Sequence, residues 1–297
     1  MRMQFGMILA CWAAAAGLAV SPAAAGESPF AWIYTLDLQP TNTWQLEQWL
    51  GLQDGQAQGD YHYLQAKTEV EYGVRPWYQI GFYLNANYAN AHANGVAGLT
   101  GGPGVDLPAG FPPTGRYDRA RFDSVSVENV VRLMNPYTDG FGLGVYVEPA
   151  VGPHTQELEL KLLAQKNFLD DRLIVALNTV AETEHEKFYG VGENASMLDL
   201  LLGVSYRFAP NWFVAAEFRN HREFGGNTFR YPEHSAYFFG PTLHYAAESW
   251  WATIGWRHQL PVVQTFTAGQ AAVVKDGRIY GNEHARDEFM LRAGIPL

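Results

Sequence analysis

The 297-residue sequence holds one cysteine, Cys11, and it falls within a stretch expected to be removed on export. The remaining chain then has no thiol, which excludes disulfide staples, thiolate nucleophiles and sulfur-ligated metals. Basic residues are scarce: 20 Lys and Arg stand against 30 Asp and Glu, a net charge of −10. That balance argues against nucleic acid as a partner. Beyond residue 20, no apolar run approaches the ~20 residues of a membrane-spanning helix. Residues 1–25 themselves read as a signal peptide. Arg2 is its positive end, Phe5 to Val20 its apolar stretch, and Ala23, Ala24 and Ala25 its small-residue cleavage site.

What the sequence has in abundance is alternation. Past a lead-in over 26–42, expected to be periplasmic, it divides into segments near the 9–11 residues that a tilted transmembrane strand needs. Leu64, Ala66, Thr68, Val70 and Tyr72 oppose Lys67, Glu69 and Glu71; Leu158, Leu160 and Leu162 oppose Glu157, Glu159 and Lys161. Strands are expected at about 44–52, 62–73, 77–88, 121–133, 141–149 and 156–166, then 172–183, 196–208, 212–222, 235–246, 250–260 and 286–297. In the last, Phe289, Leu291, Ala293, Ile295 and Leu297 share a face. Ile174–Val180 fits less cleanly, being apolar on both faces. Tight joints such as Val74-Arg75-Pro76, Leu169-Asp170-Asp171 and Ala209-Pro210-Asn211 alternate with longer ones, notably 89–120 and 261–285. Short periplasmic turns and long outer loops are what outer-membrane barrels have.

Aromatic residues bear on the same choice. Trp77-Tyr78, Trp212 and Trp250-Trp251 each follow a tight joint, a placement suited to the headgroup layer. A soluble β-sandwich would also alternate, but it would turn its apolar side chains to one interior. The signal peptide, the tryptophans and the alternating C-terminal strand favour an all-β protein. Its expected fold is a single transmembrane antiparallel up-and-down β-barrel of about twelve strands over 43–297.

Two stretches carry a resemblance. Tyr34-Thr35-Leu36-Asp37-Leu38-Gln39-Pro40, followed by Trp44-Gln45-Leu46-Glu47-Gln48-Trp49, resembles the opening of a group of largely uncharacterised outer-membrane β-barrel proteins of Gram-negative bacteria. So does Thr68-Glu69-Val70-Glu71-Tyr72-Gly73-Val74. Where many such barrels have glycine two residues after the proline, this sequence has Asn42, which also tolerates a left-handed backbone. The resemblance implies outer-membrane localisation and an architecture. It brings no catalytic or binding residues.

Charges on the inward face are the candidate functional residues: Lys67, Glu69, Glu128, Glu159, Lys161, Glu217, Arg219, His221, Arg257 and Arg292. They could pair and fill a narrow interior, or line a pore whose acidic excess prefers cations. Glu217, Arg219 and His221, facing Lys67 and Glu69 or Arg257, are the candidates for a constriction. The Gly- and Pro-rich stretch 95–115 could fold into the lumen, cover the mouth or stay unstructured. No catalytic residues are expected, since His234 and Ser235 are adjacent and would face opposite ways on a strand. Nor is a cofactor or metal site expected; Glu182-Thr183-Glu184-His185-Glu186 reads as a solvated acidic rim. Expected partners are outer-membrane lipid, the barrel-assembly machinery and possible small solutes. The expected function is a narrow channel or transport-related protein. Its alternatives are a non-conducting barrel with a structural or surface-binding role, and a lipid-active enzyme.

Overall fold

Each alternating segment pairs antiparallel with its neighbour in sequence, and the last returns to the first. The computed structural model describes residues 28–281 and 284–297; the signal peptide expected over 1–25 lies outside them. The barrel strands are β1 (Trp44–Asp54), β2 (Asp60–Arg75), β3 (Tyr78–His92), β4 (Tyr117–Met134), β5 (Gly142–Val151) and β6 (Thr155–Phe168). They continue as β7 (Leu173–Phe188), β8 (Val191–Ala209), β9 (Trp212–Gly225), β10 (Tyr231–Ala246) and β11 (Trp251–Thr265). The loop after β11 holds a short helix, α1 (Ala268–Ala272), and a small hairpin of β12 (Val274–Lys275) and β13 (Arg278–Ile279). Then β14 (Asp287–Pro296) closes the barrel on β1, with Leu291 opposite Leu50 and Phe289 opposite Leu52.

The barrel is therefore closed from twelve strands, and closure leaves no edge to satisfy in lipid. Which side is apolar separates it from a sandwich. Leu158, Leu160 and Leu162 stand 42%, 44% and 58% exposed on the outer face, while Glu47, Glu69, Glu128 and Arg292 are buried within. Such inversion suits hydrocarbon outside and a polar lumen.

At the short-turn ends Trp44 packs on Tyr72 with ring centroids 4.4 Å apart, and Tyr245 lies between Trp212 and Trp250 at 4.7 and 5.1 Å. Trp251 departs from the expectation of a common headgroup position. It is fully buried in the lumen, where its indole N–H reaches Gln45 Oε1 at 3.3 Å, because the next residue along a strand faces the other way.

Strands also run further outward than the sequence pattern indicates. β7 and β8 pair as far as Phe188 and Val191, so their outer joint is a two-residue turn. Tyr189 and Gly190 both have positive φ, 49° and 86°, the requirement of a type I′ hairpin. Asn42, at φ 64°, has the left-handed backbone anticipated for it.

Candidate functional site: the barrel lumen

The lead-in does not lie beneath the barrel. Its described part, from Ser28, crosses the lumen with Phe30, Ala31, Ile33 and Leu36 fully buried. The segment has no strand partner for most of its length, so inward side chains of the wall satisfy its backbone. Glu217 on β9 accepts from the N–H groups of Ala31 and Trp32 at 2.6 and 3.0 Å. Asn178 on β7 accepts from Tyr34 N and donates to Tyr34 O. Gln165 on β6 accepts from Leu36 N at 2.6 Å, and Gln79 on β3 from Gln39 N at 2.7 Å. Four strands thus present a matched set of polar groups to one extended segment.

Apolar contacts seat the same segment. Phe30 and Ile33 pack with Ile174, Ala176, Val180 and Leu201, which explains why Ile174–Val180 is apolar on both faces. One face forms the apolar outside of the wall and the other meets the inserted segment. Leu36 packs with Val130, Tyr146 and Leu163. Gly203 on β8 makes the approach possible, since a Cβ there would lie 2.5 Å from a ring carbon of Phe30. At the tight turn after β4, Tyr137 donates to Asp37. Partial burial and that carboxylate push the Tyr137 phenol well above its usual range, so it remains a donor.

Above and around this segment the inward charges form local groups. Glu128 accepts from Tyr83 Oη at 2.8 Å and Gln79 Nε2 at 3.1 Å, and carboxylate oxygens of Glu69 and Glu71 on β2 lie within 4.8 Å of its own. Lys67 lies 5.8 Å from the Tyr83 ring centroid. Lys161 pairs with Glu159 and sits over the rings of Tyr34 and Tyr146 at 4.1 and 4.0 Å. Arg292 reaches Glu47 Oε2 at 3.2 Å while stacking on Trp49 at 3.4 Å. Arg257 bonds Glu288 and lies over Trp32 at 4.3 Å. Arg219 bonds Asp199 at 2.6 Å, and His221 Nδ1 meets the same carboxylate at 2.6 Å.

The expected constriction is only partly assembled. Arg219 and Arg257 converge on Glu288, at 3.9 Å and in direct hydrogen bond respectively. Glu217 instead anchors the inserted segment, accepting from Thr242 Oγ1 as well as from the two backbone N–H groups. Among the described residues, no hydrogen bond or ion pair joins it to Lys67 or Glu69.

A vestibule lies toward each end of the lumen. The one at the short-turn end, about 520 Å³, is bounded by Asp37, Leu38, Arg132, Tyr137, Arg207 and His244. The outer one, about 360 Å³, is bounded by Asp106, Glu184, Glu186, His221, Glu223 and His284 among others. The stretch 95–115 folds inward to shape it. Tyr61 Oη donates to Pro103 O at 2.9 Å, Arg121 pairs with Asp106 at 2.5 Å, and Val105, Leu107 and Phe111 pack against inward tyrosines. Between the vestibules the β1, β11 and β14 wall is tightly buried. Along β6 and β7, by contrast, Glu157, Glu159, Glu182, Glu184 and Glu186 stay partly accessible beside Lys67 and Lys161.

The active-site candidates weighed in the sequence do not meet. His234 faces the lumen, whereas Ser235 is on the opposite face, hydrogen-bonded by Asn220 at 2.9 Å. Three histidines do converge, His221, His234 and His284, with ligand nitrogens within 4.8 Å of one another. Sequence spacing conceals them, because they come from two strands and a loop.

A model of a family of unknown function, DUF6662, matches residues 22–295. The chain belongs to this family. Among solved structures, the COG4313 outer membrane channel from Pseudomonas putida F1 is similar over 91% of this chain and 100% of its own, with 10% identity and a TM-score of 0.60. The NanC porin is similar over 85% of this chain and 100% of its own, at 10% identity and a TM-score of 0.51. No curated protein matches the sequence. At these identities the likeness shows a shared fold, the outer-membrane-type β-barrel of this DUF6662 member.

Proposed function

We propose that this protein is a narrow outer-membrane channel for small solutes, with a preference for cations, and that its N-terminal segment sets the width of the passage. The observation that carries this reading is the partly accessible line of Glu157, Glu159, Glu182, Glu184 and Glu186 along β6 and β7, which runs into the outer vestibule at Glu184 and Glu186. Charges in a low-dielectric tube select by sign, and five acidic side chains outnumber Lys67, Lys161 and Arg121, the last already paired with Asp106. The solved barrels it resembles include a channel and a porin, which agrees with transport.

In planar bilayers the purified barrel is expected to carry a small current whose reversal potential under a salt gradient reports cation preference. Replacing Glu182 and Glu184 together by glutamine lowers that preference, with the folded band on unheated gels unchanged. Correctly folded protein that passes no current at any voltage would overturn the channel reading in favour of a sealed structural barrel.

A further inference from the structure

We propose that His221, His234 and His284, with Glu223 beside them, form a binding site for a divalent transition-metal ion of the zinc type in the outer vestibule. The site is independent of whether solute crosses the barrel.

Geometry comes first. His221 projects inward from β9. His234 projects inward from β10, just past a register shift between Pro232 and His234 that aims it at its neighbour. His284 enters from the loop before β14 and is buried between them, its ring 4.6 Å from that of His221 and 5.2 Å from that of His234. The Nε2 atoms of His234 and His284 are 3.2 Å apart. Two imidazole nitrogens bound tetrahedrally at ~2.0–2.1 Å from zinc stand roughly 3.3 Å apart. Glu223 Oε2 lies 3.8 Å from His221 Nε2 and 4.0 Å from His234 Nε2, close enough to supply an oxygen after a small side-chain movement.

The ligand state of His221 is set by what holds its other nitrogen. Nδ1 donates to Asp199 Oδ1 at 2.6 Å, which turns the Nε2 lone pair toward the cluster. Carboxylate–histidine pairs of this kind orient metal-binding imidazoles and raise their basicity. Buried though it is, His221 Nε2 has no hydrogen-bond partner. A buried acceptor without a partner costs free energy that a bound cation would recover. Arg219 is the unfavourable neighbour, its guanidinium 2.8 Å from His221 Nδ1, but it is paired with Asp199 and approaches Glu288. That leaves Glu223 to offset a dication.

Chemistry narrows the ion. Three imidazoles and one carboxylate suit zinc, copper or nickel, whereas calcium and magnesium prefer oxygen. Access is provided by the outer vestibule, whose wall includes His221, Glu223 and His284, with Glu184, Glu186 and Glu193 gathering cations at its rim.

The test uses the purified, chelator-stripped barrel in detergent. Zinc titrated by calorimetry is expected to fill one site per chain, and cobalt(II) to give the visible absorption of a tetrahedral nitrogen-rich complex. His234→Ala and His284→Ala each weaken zinc binding by at least ~10-fold, the lower end of what even supporting partners contribute, and abolish the cobalt bands. Unheated gel mobility verifies that each variant is folded. His185→Ala, altering an imidazole on the outer face of β7, leaves both signals intact. The proposal fails if the stripped wild-type barrel takes up no zinc saturably, or if the two lumen variants bind it as the wild type does.

Discussion

Glu217 shows how far a residue's role depends on what its carboxylate meets. On the strand pattern alone it is one inward charge among many. In the barrel its oxygens take two backbone N–H groups of the inserted segment and the Thr242 hydroxyl. Hydrogen bonds to an ionised acceptor contribute about 1.5–3 kcal/mol each. Glu217→Gln keeps one acceptor oxygen but turns an NH₂ group toward a backbone donor. The segment's hold is then expected to weaken by about 1–3 kcal/mol, read as a larger and noisier current in single-channel recordings. A selectivity change without added conductance would instead mean that Glu217 acts on the permeating ion directly.

Among the elements, the strands were legible and the inserted segment was not. Alternation is local, because each strand needs one face for lipid and one for the lumen, so twelve strands could be counted from side chains alone. Residues 28–40 have no such period, since their backbone bonds go to scattered side chains on β3, β6, β7 and β9. One trace was present: Ile174, Ala176 and Val180 are apolar where a polar lumen face was due. An apolar inward patch implies an apolar occupant, here Phe30 and Ile33. The histidine cluster left no comparable trace, because its members meet only once a distant loop folds inward. Gly203 offers the test at this scale. Valine there would force its side chain into the space of Phe30, where even a Cβ comes within 2.5 Å. Gly203→Val is expected to dislodge the segment, raising conductance and opening 28–36 to protease while the barrel stays folded. Unchanged protease resistance would count against the seating described.

For the whole molecule, stability rests on sorting side chains between two solvents. Leu160 meets the outside and its neighbour Lys161 the inside, one residue apart. Leu160→Lys is expected to cost about 2–4 kcal/mol if it lies near the bilayer midplane, measurable as a lower urea midpoint for folding into lipid vesicles. A soluble fold would tolerate that change on an exposed surface with little loss.

Arg292 belongs to the strand that completes the hoop, yet it touches Glu47 on the first strand and the carbonyl of Phe30 in the interior, at 3.2 and 3.4 Å. Seam and stopper are therefore fastened by one guanidinium. Closing the wall and seating the interior segment thus draw on the same side chain, and a barrel that zips shut around an empty bore leaves its final clasp half engaged.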